Sequence, residues 1–136
     1  MVAGKVLMFD LAKADAASTD FVSGSDNSIF TNVLTPTTAG INHGWFCVLT
    51  ESIADDADGM AVVRGVVSAF IDGSDAAALA DLLSSKNASA NLNSDAPGVG
   101  VEFKVIGKPL QTTAAGTAEK VLVLFNGIEG FGSTVG

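Results

Sequence analysis

The 136-residue sequence has no tyrosine, one cysteine, one histidine and one arginine, and only 16% of its residues are charged. A single cysteine excludes a framework of intrachain disulfides. A lone histidine, with no second histidine or cysteine near it in sequence, does not supply the ligand set that zinc requires. A serine nucleophile requires a partnered base and an elbow such as G-x-S-x-G, and VSGSDNS is only a flexible polar loop. The composition therefore predicts a protein that is not an enzyme and that needs no metal or other cofactor.

Positive charge is also scarce. Seven lysine and arginine residues face fifteen aspartate and glutamate residues, which gives a net charge of −8. Nucleic-acid binding depends on clustered basic residues, so DNA and RNA are excluded as expected partners. No apolar run is long enough to cross a bilayer, and the run from Val6 to Phe9 is too short for the apolar region of a signal peptide. The sequence predicts neither a membrane partner nor export.

Six runs rich in β-branched and aromatic residues are separated by Gly, Pro, Asn, Asp and Ser. These runs are KVLMF, IFTNVL, WFCVL, MAVVRGVVSAFI, VGVEFKVIG and KVLVLF. Short strands at such spacing are typical of sandwiches and barrels. The fold class that we predict is mainly β, a small antiparallel β-barrel or sandwich with one short helix, formed by a single domain that spans 1–136. Cys47 lies within one of the runs and is expected to be buried and unreactive.

The one predicted helix lies within 74–86. Ser74 or Asp75 is a suitable N-cap for the run AAALADLLSSK, whose three leucines fall on one side of a helix.

One strand signal alternates between two sets of residues. Along VGVEFKVIG the first face carries Val99, Val101, Phe103 and Val105, and the second carries Gly100, Glu102, Lys104 and Ile106. A strand of this kind is expected to have one face in water.

Two segments differ from the rest in composition. Residues 16–42 are rich in Ser, Thr, Asn, Asp and Gly, and Pro36 excludes a central strand there, so we expect an extended arm or an edge excursion. Residues 126–136 follow the apolar run KVLVLF and contain four glycines, which favours a flexible C-terminal tail. Both segments carry apolar residues that a partner could cover. The candidate partner-binding residues are Ile29, Phe30, Val33, Leu34, Ile128 and Phe131.

Three motifs leave other functions open. DDADG at Asp55 to Gly59 has the alternating oxygen ligands of a calcium loop but lacks the first ligand and the closing glutamate. Trp45 beside Asn42 and His43 is compatible with a glycan- or ligand-binding β-sandwich. His43 with an aspartate is compatible with a small hydrolase or isomerase.

The stretch from Lys104 to Ser133, KVIGKPLQTTAAGTAEKVLVLFNGIEGFGS, resembles the closing strands of the small β-barrel capsid decoration (cement) proteins of tailed bacteriophages. The apolar strand AVVRGVVSAFIDG at 61–73 stands upstream, as it does in that family. The resemblance implies a non-enzymatic virion protein that is made in the host cytoplasm and binds the outer surface of the assembled head. Its implied partners are the major capsid protein and further copies of itself, most often as a trimer. A tail or neck subunit of a virion shares most of these sequence features.

Overall fold

The computed structural model describes residues 1–9, 33–36, 44–54, 57–74, 76–86, 88–94 and 102–135. The predicted mainly β class is confirmed, and the curled sheets form a half-barrel. The strands are β1 (Val6–Phe9), β2 (Val33–Leu34), β3 (Phe46–Leu49), β4 (Ala61–Val62), β5 (Arg64–Ile71), β6 (Ser84–Lys86), β7 (Ser89–Asn93), β8 (Glu102–Lys104), β9 (Gly107–Pro109), β10 (Glu119–Asn126) and β11 (Ser133–Val135).

The strands form three sheets. The first has the order β2-β1-β3-β4, the second has the order β6-β7-β5-β10-β9, and β11 pairs with β8. Only Val63 separates β4 from β5, so the chain passes directly from the first sheet into the second. The longest pairing joins β5 and β10 antiparallel over eight residue pairs, from Glu119 opposite Ile71 to Asn126 opposite Arg64.

One hydrophobic core is shared by the two larger sheets. Its buried members are Val6, Met8, Phe46, Val48, Val67, Ala69, Ile71, Ala77, Leu83, Leu92, Ile106, Val123 and Phe125. Because β1, β3, β5, β7 and β10 all contribute to this cluster, the two sheets bury their inner faces against the same set of side chains.

A second, smaller cluster lies on the other side of β1 and β3. Leu7, Phe9, Cys47 and Leu49 form it, and Trp45 and Ile128 pack against it. Both faces of these two strands are therefore covered, which explains why VLMF and FCVL are continuous apolar runs instead of alternating ones. The predicted burial of Cys47 is confirmed, since its exposed fraction is 1%.

We expect the Cys47 thiol to react with Ellman's reagent only after unfolding. Burial raises its pKa to about 12, so the folded protein presents almost no thiolate at pH 8. The measurement is the rate of reaction in buffer and in denaturing urea. Rapid reaction of one thiol per chain in buffer would contradict the buried position of β3.

The helix predicted within 74–86 was wrong: no helix occurs among the described residues of this segment. Ala77 exchanges two hydrogen bonds with Thr113, one from its N–H to Oγ1 and one from the Thr113 N–H to its carbonyl, both 3.0 Å. Asp81 closes a turn by accepting from the Ala78 N–H at 2.7 Å, and β6 then begins at Ser84. Backbone groups that a helix would have paired internally are bonded to distant residues, and the Ala-rich run is too short to compete.

The strand predicted to have one wet face is buried on both faces at 103–106, the part of it whose side chains the structure describes. Phe103, Lys104, Val105 and Ile106 are each less than 10% exposed. Phe103 and Lys104 belong to β8, which pairs with β11, and the Val105 N–H and carbonyl bond to Gly132 and Phe131. The chain after β10 thus covers the face of β8 that carries Lys104, which the sequence predicted to face water.

Residues 126–135 lie in the segment predicted to be a flexible C-terminal tail, and here the structure has a turn followed by β11. Asn126 is buried, and its side chain accepts from the Glu129 N–H and donates to the Gly130 carbonyl. Gly130 has a φ of 73°, which is a conformation that favours glycine. The turn returns the chain along β8 as β11. Within 16–42 the structure describes 33–36, where β2 is an edge strand of the first sheet.

Candidate protein-binding surface

The outer side of the β5-β10 pair is apolar and open to solvent. Along β10, Val123 and Phe125 are fully buried, whereas Leu122 and Leu124 between and beside them are 41% and 36% exposed. Val66 of β5 lies directly opposite Leu124 and is 59% exposed. The period of two residues in a strand thus gives β10 one face in the core and one equally apolar face outside it.

Strand β9 extends this outer face by one strand. Lys108 lies opposite Leu124. Leu110 follows β9, is 46% exposed, and donates its N–H to the Leu122 carbonyl at 2.9 Å, so it lies beside Leu122. We call the outward-facing positions of these strands the outer face. They are Arg64, Val66, Ser68 and Phe70 of β5, Lys120, Leu122 and Leu124 of β10, and Lys108 with Leu110.

The charge of the outer face is opposite in sign to that of the chain. Its nine positions include three cations, Arg64, Lys108 and Lys120, and no carboxylate, whereas the whole chain has a net charge of −8. The nearest carboxylate partner is Glu129, whose Oε2 lies 4.0 Å from Arg64 Nη1. Both of these side chains are more than 70% exposed, so their attraction is weak. Cations therefore surround an apolar centre of four side chains.

Two aromatic rings hold the lysines at the borders of this face. Phe70 is contacted by the Lys5 ammonium at 4.5 Å and by the Lys120 ammonium at 5.8 Å from the ring centroid. Lys108 lies 5.7 Å from the centroid of Phe131. Such cation–π contacts restrict the lysine heads without neutralising their charge.

The six sequence-predicted contact residues do not form one site in the described structure. Ile29 and Phe30 lie outside the described residues, and of Leu34 only the backbone in β2 is described. Val33 is 39% exposed at a different sheet edge. Ile128 packs against the second hydrophobic cluster. Phe131, 39% exposed and beside Lys108, is the one of the six that borders the outer face.

The outer face itself was missed because alternation identifies two faces of a strand but not which one is covered. Val66, Leu110, Leu122 and Leu124 were indistinguishable in sequence from core residues. The available signal was that both faces of MAVVRGVVSAFI and KVLVLF are apolar although β9 and β10 are followed by short, polar connections and no helix that could cover them.

A buried lysine of β8 contacts the turn that follows β10. Lys104 is 9% exposed, and its Nζ donates to the carbonyls of Gly44 at 3.1 Å and Gly127 at 3.4 Å and to that of Ile128. Burial lowers the pKa of Lys104, while the carbonyl dipoles favour its charged form. This ammonium joins β8 to the turn after β10 and to the start of β3.

Within the part of the chain that the structure describes, the other motifs give no convergent site. Asn42, His43, Asp55 and Asp56 lie outside the described residues, and Trp45 is half-buried against the second cluster. Among the described residues, no group of three or more His, Cys, Asp or Glu side chains could hold a metal ion. The same part of the chain contains no helix that is long and apolar enough to span a membrane.

No family model matches this chain, and neither a curated protein nor a solved structure is significantly similar to it.

Proposed function

We propose that this chain is a structural protein of a phage virion that binds the outer surface of the assembled head and stabilises it without covalent bonds. The observation that carries the proposal is the outer face, where four large apolar side chains are exposed on the β5-β10-β9 side of a five-stranded sheet. The resemblance of the stretch from Lys104 to Ser133 to capsid decoration proteins supports it, because that stretch includes β9, β10 and Phe131.

An exposed apolar face of this kind suits a protein that binds a preformed capsid lattice. Contiguous exposed apolar patches commonly mark interaction sites, unlike apolar residues that are exposed singly. The backbone under this patch is held by eight residue pairs between β5 and β10, so little ordering entropy is lost on binding. A protein that binds the assembled lattice and not the free capsid subunit stabilises the lattice by about 2.7 kcal/mol per site at 100 times its Kd.

The rival functions receive less support. A glycan-binding module requires an accessible tryptophan, whereas Trp45 packs half-buried against Leu7, Phe9 and their neighbours. A tail or neck subunit would use an apolar face in the same way, and the binding assay separates it from a head protein. Further copies of the chain, most simply three, are part of the proposal, with the major capsid protein as the principal partner.

The test is co-sedimentation of the purified protein with phage heads that lack it. We expect saturable binding in a fixed ratio to capsid subunits. The double variant Leu122→Thr/Leu124→Thr should bind at least about tenfold more weakly, because each substitution removes apolar area from the contact while threonine retains the β propensity of the strand.

Met60→Thr is the control. Met60 is 71% exposed and precedes β4 of the first sheet, so it is not a position of the outer face. This variant should bind heads like the wild type. Equal binding by all three proteins would show that the outer face is not the contact, and binding to purified tails with none to heads would replace the head assignment by a tail one.

A further inference from the structure

We infer that the surface bound by the outer face is acidic around an apolar centre, so that binding is driven in part by charge complementarity. The inference rests on the proposed function, because it describes the capsid surface that the same face would cover. Its basis is the arrangement of Arg64, Lys108 and Lys120 around Val66, Leu110, Leu122 and Leu124.

The three cations lie at different borders of the apolar patch. In the sheet register they occupy three borders of the patch: Arg64 lies beyond Val66 along β5, Lys108 lies beyond Leu124 across the sheet, and Lys120 lies beyond Leu122 along β10. No outward-facing position between them carries a carboxylate. A partner that covers the leucines must therefore bring its rim against cations on several sides.

Two of the three cations are available to pair with acidic residues of a partner. Lys108 and Lys120 are exposed, and the structure gives neither of them an ion pair with a described residue. By contrast, the Lys86 ammonium lies 3.0 Å from Asp72 and the Lys104 ammonium is used by three carbonyls. The two lysines at the patch retain their charge for a partner.

A second copy bound face to face is disfavoured by the same charges. A two-fold contact through the outer face would bring together two patches that are each bordered by three cations, and no outward-facing position of either copy supplies a carboxylate to pair with them. The occupant is therefore a different chain, with Asp or Glu around an apolar surface. Rim charges of this kind chiefly raise the association rate and set the dependence on salt.

The experiment measures the affinity for undecorated heads at about 50 mM and about 500 mM NaCl, where the Debye length falls from about 14 to about 4 Å. Wild-type affinity should fall at least about tenfold. Lys108→Gln/Lys120→Gln should bind about fivefold or more weakly at low salt and respond less to added salt, and Lys108→Arg/Lys120→Arg should restore binding.

The control changes the net charge by the same amount elsewhere. Ala57→Glu/Ala80→Glu adds two negative charges at exposed positions outside the outer face, as the glutamine variant removes two positive ones, and should bind like the wild type. Thermal melting of all variants verifies that they are folded.

Two results would overturn the inference while the proposed function stands: head binding that is insensitive to salt and to the lysine substitutions, or equal weakening by the control variant. Absence of head binding by every protein would remove the proposed function and the inference together. Dissociation of wild-type oligomers by Leu122→Thr/Leu124→Thr would instead assign the face to contacts between copies and overturn the inference.

Discussion

Replacing Gly127 with alanine is expected to abolish the stable fold. A Cβ at this position would lie 2.6 Å from the Phe46 carbonyl carbon and 2.8 Å from Cε1 of the Phe125 ring, and it would also collide with the Phe46 carbonyl oxygen. Phe46 and Phe125 are fully buried, so neither can move into solvent.

The backbone cannot shift to relieve these contacts. Gly127 accepts a hydrogen bond from the Phe46 N–H and donates one to the Val63 carbonyl, both at 2.9 Å. These bonds tie the end of β10 to β3 and to the junction of β4 with β5. Moving residue 127 would break the contact between the two larger sheets. We expect a loss of more than about 3 kcal/mol, which is a large part of the stability of a typical domain.

Gly116→Ala is the control for this prediction. Gly116 has a φ of 117°, and the Cβ of an alanine there would have no described atom within 4 Å outside its chain neighbours, so the substitution meets backbone strain but no steric contact. Its cost should be about 1–2 kcal/mol. Thermal and urea unfolding followed by circular dichroism compare the two. A melting temperature for Gly127→Ala within a few degrees of that of Gly116→Ala would contradict the packing of the turn against Phe46.

Strands could be predicted from the sequence where the residue types of the segment itself favour the β conformation. β-Branched and aromatic residues predict three of the observed strands, Phe46–Leu49, Arg64–Ile71 and Glu119–Asn126. These three strands contribute much of the hydrophobic core. The segment 74–86 was not predictable from its own residues, because its backbone partners are Thr113 and Gly107, more than twenty positions away. Helix propensity in a short alanine-rich run is smaller than the gain from such non-local pairing.

The candidate surface was predictable only in part. Phe131 was identified from its position among glycines, and it does border the outer face. The centre of that face was not identified, because the sequence of β10 does not say which of its two apolar faces the rest of the chain covers. That outcome depends on the pairing of β5, β10 and β9 and on the absence of any described element packed outside them, which are properties of the assembled fold.

Replacing Lys104 with methionine is expected to destabilise the fold by about 2–4 kcal/mol, although methionine has a similar length and removes a costly buried charge. The Lys104 ammonium donates to three carbonyls in two separate parts of the chain, that of Gly44 before β3 and those of Gly127 and Ile128 after β10. Of these, the Gly127 carbonyl also accepts from the Phe46 N–H, so it keeps a donor in the variant. The carbonyls of Gly44 and Ile128 lose the lysine donor in a partly dry site, and each unpaired carbonyl costs about 1–3 kcal/mol.

Lys108→Met is the matched control, because Lys108 lies four residues further along, is exposed, and makes one cation–π contact with Phe131. Its cost should be below about 1 kcal/mol. Urea unfolding at neutral pH measures both differences. If Lys104→Met is as stable as the wild type, the ammonium is not needed for stability. The path of residues 126–135 along β8 would then depend only on the β8-β11 pairing and on Gly127. A large loss for Lys104→Met with little for Lys108→Met would show that the buried charge, by joining β3, β8 and the turn after β10, holds that part of the chain in place beside the outer face.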